Sequence, residues 1–233
     1  MKIRGVIFDK DGTLIEFSDL WRSGLEEFFE KNFIQDDLKR EIRRKVGIKS
    51  DCTIEENSIL ASGTMDDLVS VISQYVSLDK GKLYKKISDH YLSYMKRHPD
   101  MIKETCDLRI LFEKLKELGI KIGVITADDY VQAKLCLEIL GIENHIGFLA
   151  TGDRYLNKPN TQSLDAFCEK FSLNRREVAI VGDSEIDMLL GKKAGLAIGV
   201  LSGVGTKDML TKSADILVKS PCEVISSINS NLM

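Results

Sequence analysis

The segment Ile3-Arg4-Gly5-Val6-Ile7-Phe8-Asp9-Lys10-Asp11-Gly12-Thr13-Leu14 decides how this chain folds. Its first half is a short apolar run, the composition of a buried strand, and it stops abruptly at a cluster of turn formers. Asp9 and Asp11 therefore emerge together at the end of a strand, where Gly12 lets the backbone turn closely around a ligand. Two acids so placed repel each other unless a cation joins them. Magnesium prefers hard oxygen ligands and would neutralise both carboxylates and a bound phosphate. Taken alone, the same residues would also suit an Asp-Gly turn with a helix cap.

Further strand-and-loop units follow at Lys121 to Thr126, Glu177 to Asp183, Ala197 to Leu201 and Ala214 to Val218. Helical patterns lie between them: Leu108 to Leu118 closing at Gly119, Tyr130 to Leu140 closing at Gly141, and Glu185 to Ala194 closing at Gly195, each glycine where a helix C-cap belongs. Strands alternating with such helices predict an α/β fold, a doubly wound parallel sheet with right-handed connections. Residues 18–98 break the rhythm. They show amphipathic helical spacing at Leu20 to Phe33, Asp36 to Val46, Met65 to Val76 and Lys80 to Met95, with no strand-like run. The expected organisation is an α/β core of residues 1–17 and 99–233, with 18–98 as an inserted helical cap over the carboxyl ends of the strands, where open α/β sheets bind ligands.

Gly182-Asp183-Ser184-Glu185-Ile186-Asp187 repeats the logic of the first motif: acids directly after a strand, with Asp183 and Asp187 four apart and so expected on one helix face. Thr126 ends a strand before Ala127-Asp128-Asp129, where its hydroxyl and the following N–H groups face a helix N-terminus suited to phosphate oxygens. Lys158-Pro159 lies in the loop that follows, with a charge able to balance Asp9 and a phosphate.

In order and spacing these motifs resemble the haloacid dehalogenase superfamily, in its phosphoglycolate phosphatase-like branch, over nearly the whole chain. The resemblance implies a Rossmann-like core and a phosphoric monoester hydrolase working through an aspartyl-phosphate. Asp9 would be the nucleophile, and Asp11 the acid and base, with its backbone carbonyl on the metal. Asp9 and Asp183 would ligate Mg²⁺, with Asp187 holding a metal-bound water or orienting the shell. Gly12, Thr126, Ala127 and Lys158 would surround the phosphoryl group. In such relatives a cap loop near Lys49 meets the substrate, which makes Lys49 a candidate specificity residue, although Arg43, Arg44, Lys45 and Lys49 also read as a solvated basic face. The chain departs from the family pattern at Ala127, where many relatives have Asn, and after Pro159, where Asn160-Thr161-Gln162 replaces a second proline.

Composition bounds the rest. Lys and Arg total 33 against 36 Asp and Glu, a net charge of −3, which leaves no cationic excess for nucleic acid. Apolar runs are strand-sized, so neither a membrane span nor, with Asp9 so near the start, a signal peptide is expected. A cytoplasmic monomer or homodimer acting on a small phosphorylated metabolite fits these bounds. Cys52, Cys106, Cys136, Cys168 and Cys222 are odd in number and show no CxxC pair, so free thiols are expected rather than disulfides or zinc. His90, His98 and His145 lack metal-ligand spacing, and Gly203-Val204-Gly205-Thr206-Lys207 reads as a plain turn. Trp21 follows the hinge and could contact substrate, but with Leu20, Leu25 and Phe28 at helical spacing it reads as cap core. Competing functions are a phospho-accepting signalling domain, dehalogenation at carbon, and a phosphosugar mutase. Asp11, Asp183 and Asp187 favour phosphorus over carbon, and only product analysis separates the mutase.

Overall fold

A computed structural model describes residues 2–16, 19–32, 35–55 and 58–230. The boundary at residue 17 and the expected helix end at Phe33 lie outside these described residues. Six parallel strands, β1 (Gly5–Phe8), β2 (Lys121–Ile125), β3 (Phe148–Ala150), β4 (Val178–Gly182), β5 (Leu196–Val200) and β6 (Ile216–Val218), form one sheet in the order β3-β2-β1-β4-β5-β6. The helices are α1 (Leu20–Lys31), α2 (Asp36–Val46), α3 (Ile59–Ser62), α4 (Met65–Ile72), α5 (Lys80–Arg97), α6 (Leu108–Glu117), α7 (Tyr130–Ile139), α8 (Gln162–Phe171), α9 (Glu185–Gly191), α10 (Lys207–Ser213) and α11 (Val224–Ser230). None is long and apolar enough to cross a membrane among the described residues.

Side chains alternate across a strand, so β1 feeds both faces of the sheet. Val6 and Phe8 join Leu111, Phe112 and Leu115 of α6, with the Phe8 and Phe112 rings edge-on at 5.6 Å. Ile7 points the other way, toward Leu164 and Phe167 of α8. Both faces are covered by helices, which explains the uniformly apolar strands. Helices α1 to α5 have a cluster of their own, built on residues such as Leu25, Phe29, Ile42, Ile72 and Tyr91. They lean on the core through α5 and α7.

Several expectations need correction. β3 pairs with β2 through Gly123 and Phe148, yet its three residues are too few to show as a period. α3 likewise spans only four residues. Gly119 and Gly141 do take the left-handed conformation that stops α6 and α7 (φ 72° and 67°). Gly195 does not serve that role. α9 ends at Gly191, and Gly195 is small because a Cβ there would stand 2.0 Å from the Arg176 carbonyl oxygen. Cys106, ahead of α6, and Cys222, in a 3-10 turn ahead of α11, form a disulfide across a sequence separation of 116. The fold brings their Cα atoms to 6.2 Å, a proximity that spacing does not encode. Cys52, Cys136 and Cys168 are free, as expected.

Candidate active site

Phe8 pairs in register with Val124 on one side and Val181 on the other, so β2 and β4 end together, one residue beyond β1. The residues that follow them, Asp9, Thr126 and Asp183, consequently reach one cleft. This is the switch point of the sheet, where the strand order runs outward in both directions from β1 and β4 and the loops separate.

Carboxylate oxygens of Asp9, Asp183 and Asp187 lie within 4.8 Å of one another. Asp187 sits in the first turn of α9, where its Oδ2 accepts from the N–H (3.1 Å) and Oγ (2.5 Å) of the N-cap Ser184. Asp183 precedes that cap and is not on the helix; the expected shared helix face is replaced by a strand end meeting a first turn. Lys158 enters from the loop before α8 and places Nζ 2.5 Å from Asp9 Oδ1 and 2.6 Å from Asp187 Oδ1. Burial pushes the Asp9 carboxyl up to about 7, against the pull of Lys158. Burial, reinforced by Asp9 and Asp187, also holds Asp183 far above the usual carboxylate range. Burial opposes the charge on Lys158, but Asp187 and Asp9 outweigh it and keep the ammonium strongly protonated. Three buried carboxylates sharing one lysine is the charge pattern that a hard divalent cation relieves, and the all-oxygen donor set suits magnesium.

Asp183 rests in a cradle that spacing alone does not reveal. Val204 N–H donates to its Oδ2 at 2.8 Å, and Thr13 Oγ1 donates to Oδ1 at 3.2 Å. A Cβ on Gly203 would stand 1.9 Å from Asp183 Oδ2, and one on Gly12 would stand 2.4 Å from it. The turn at Gly203 to Gly205 thus presses a backbone donor onto a buried acid. Gly12 keeps its positive φ of 80° but serves the carboxylate as well as the turn.

Asp11 lines the same cavity, with its carboxylate held by a second group of charges. Its Oδ1 accepts from Trp21 Nε1 (3.2 Å), and its Oδ2 contacts Lys10 Nζ at 2.6 Å. Lys10 is fully buried and also meets Asp128 Oδ2 at 2.9 Å. These are ionic contacts rather than aligned hydrogen bonds. Burial would depress Lys10, but Asp11 and Asp128 overcome it and keep the ammonium charged. Trp21 therefore belongs to the site as well as to the cluster built by α1 to α5. Its place shortly after the first motif carried the signal, and helical spacing masked it.

Thr126 is buried, and its Oγ1 accepts from Asp128 N–H at 3.2 Å. Thr126, Ala127, Lys158, Asp9, Asp11, Asp183 and Asp187 all line one cavity, roofed by the segment from Ile59 to Met65. Lys49 does not line it. Lys49 lies in the turn closed by the Ile48 and Ile54 bridge, and α3 with the start of α4 takes the place expected for it over the cleft.

Residues 6–200 match the family model for haloacid dehalogenase-like hydrolases. A Clostridium perfringens protein named "Putative pyrophosphatase PpaX" is 25% identical over 229 residues, 97% of each chain. A Neisseria meningitidis phosphoglycolate phosphatase is 26% identical over 162 residues, covering 61% of this chain and 69% of its own. The crystal structure of CbbY from Rhodobacter sphaeroides in complex with phosphate superposes with a TM-score of 0.71 at 16% identity, over 97% of this chain and 99% of that one, a likeness of fold. With the model matched across the core and the helices between its strands, the chain belongs to the haloacid dehalogenase-like hydrolase family.

Proposed function

We propose that this chain is a magnesium-dependent phosphatase that hydrolyses a small phosphate monoester through an aspartyl-phosphate on Asp9. The observation that carries the reading is the convergence of Asp9, Lys158, Asp183 and Asp187 at one strand-end cleft beneath helices. The relatives' names, pyrophosphatase and phosphoglycolate phosphatase, agree with chemistry at phosphorus. Residues 18–98 are read as the cap domain and 1–17 with 99–233 as the core, supported by the separate hydrophobic cluster of the cap helices.

Asp9, Asp183 and Asp187 would hold the metal, with the Asp11 carbonyl added by family resemblance. Magnesium would neutralise charge on the carboxylates and phosphoryl group and so lower the cost of bringing them together. The chain's own residues do the rest. An Asp9 carboxylate oxygen attacks phosphorus as the bond to the ester oxygen breaks. Asp11 delivers a proton to that oxygen, which leaves as an alcohol. Asp11 then takes a proton from the water that cleaves the acyl phosphate, which releases phosphate and restores Asp9. Lys158 and the Thr126–Ala127 turn position the phosphoryl oxygens, and positioning with charge stabilisation dominates this chemistry.

Intact-protein mass spectrometry with an activated aryl phosphate tests the assignment. Asp11→Asn should accumulate a phosphate adduct, because an acidic phenol leaves unaided while hydrolysis of the intermediate slows about 10²- to 10⁴-fold. Asp9→Asn should show none, and an adduct on that variant would remove Asp9 as nucleophile. With magnesium the wild-type protein should release free phosphate, and turnover should stop in chelator, whereas a rearranged ester would reveal a mutase.

A further inference from the structure

Beyond the phosphoryl pocket, the cavity has a chemical bias. Its described lining carries six carboxylates, Asp9, Asp11, Asp128, Asp129, Asp183 and Asp187, and one cation, Lys158. That cation is already held by Asp9 and Asp187. Lys10 lies behind the wall, fully buried, with its charge directed at Asp11 and Asp128. The few residues outside the description include no Lys or Arg. The roof is mostly apolar, with Ile59, Leu60, Met65 and Leu68 in the lining along with Leu156, and its only polar side chains are the uncharged Ser62 and Thr64. No described cation faces that end of the cleft.

One polar atom in this wall has no partner. Gln132, on the first turn of α7, is fully buried and lines the cavity. Its Nε2 donates to Ser88 Oγ at 2.7 Å and to the Ser88 carbonyl at 3.4 Å. A carbonyl only accepts, so the amide orientation is set and Oε1 is the free end. Among the described residues no donor reaches that oxygen. A buried acceptor without a partner is unfavourable, and a ligand that donates to it would relieve that cost. Asp129, beside it in the wall, already accepts from Tyr84 Oη at 2.5 Å and adds further negative potential.

We infer that the leaving group of the substrate is an uncharged or cationic alcohol with a hydrogen-bond donor for Gln132 Oε1 and an apolar body against the α3–α4 roof, and not one carrying a second anion. The inference rests on the phosphatase reading above and narrows its substrate class. A carboxylate or second phosphate on the leaving group would face Asp129, and Asp128 whose charge Lys10 already meets, with no free described cation to receive it, and like charges brought together in this way weaken binding. This sets the chain apart from what the names of its relatives suggest.

The test compares kcat/KM with magnesium present for four esters of similar size and for pyrophosphate. The esters are 2-hydroxyethyl, 2-aminoethyl and ethyl phosphate, and phosphoglycolate, with p-nitrophenyl phosphate as a general substrate. We expect the hydroxyethyl or aminoethyl ester to exceed phosphoglycolate and pyrophosphate by about 10-fold or more, and to exceed ethyl phosphate for want of its donor. Gln132→Leu should collapse the hydroxyethyl-to-ethyl ratio toward one, a readout that does not depend on how much enzyme is folded. Phosphoglycolate or pyrophosphate turned over as well as the neutral esters, or a ratio unchanged by Gln132→Leu, would overturn the inference and leave the phosphatase standing. No turnover of any compound, p-nitrophenyl phosphate included, would overturn both.

Discussion

Replacing Lys158 by methionine keeps most of the side chain's length and removes the one cation among the described residues that faces the acid cluster. At the 4.8 Å that bounds the oxygens of Asp9, Asp183 and Asp187, two unit charges repel by about 3.5 kcal/mol at an effective dielectric of about 20. The lysine offsets this from 2.5 and 2.6 Å. Taking one partner out of a buried ion pair costs about 3–5 kcal/mol. The loss must depend on pH, because the cluster can escape repulsion by binding a proton. Burial has already pushed Asp9 up to about 7 with Lys158 pulling the other way, so the variant leaves that push unopposed. An acid whose folded-state pKa exceeds its unfolded value binds more protons when native, so stability falls as pH rises from about 4 through the folded value. In EDTA the variant should lose about 2 kcal/mol at pH 5, the worth of its two hydrogen bonds. At pH 8 it should lose about 3–5 kcal/mol. Magnesium at about a hundred times its dissociation constant should return about 2.7 kcal/mol by mass action. Urea unfolding followed by far-UV circular dichroism at pH 5, 6.5 and 8 measures all three quantities. A loss of the same size at every pH, or no recovery with magnesium, would refute the account of the cluster as charges in want of a cation.

Two further outcomes follow from the cradle and the disulfide. Gly203→Ala puts a methyl group where Asp183 Oδ2 now sits and should weaken magnesium binding about 10- to 100-fold by calorimetry; unchanged affinity would mean that the cradle does not orient the acid. Cys106→Ser with Cys222→Ser opens a closure across a sequence separation of 116 and should lower unfolding stability by about 2–4 kcal/mol, with the reduced wild-type protein behaving alike. Equal stability of the oxidised protein and the double variant would rule out a stabilising role for the bridge.

The local patterns of the chain determined a great deal without any structure. Apolar runs ending in Asp9, Thr126 and Asp183 specify parallel strands because a strand buried on both faces must be apolar throughout, and its end is where chemistry can begin. Helical spacing in α1 to α5 marks a run of helices with a hydrophobic cluster of its own for the same kind of reason, since an amphipathic period is a short-range property. What only tertiary structure decided is every contact made across long separations. Lys10 reads as a spacer between two aspartates until Asp128 and Trp21 are brought to either side of it. Gly203 reads as a turn until Asp183 is seen within its missing side chain's volume, and Gln132 as one more helix polar until its neighbours prove to leave its oxygen alone. The sequence separation of 116 between Cys106 and Cys222 hides a disulfide in the same way, and the expected place of Lys49 over the cleft is taken by a single helical turn too short to show a period. Periodicity reports which face of an element is buried, but it does not report what that face meets, and the meeting of distant residues is what builds this site.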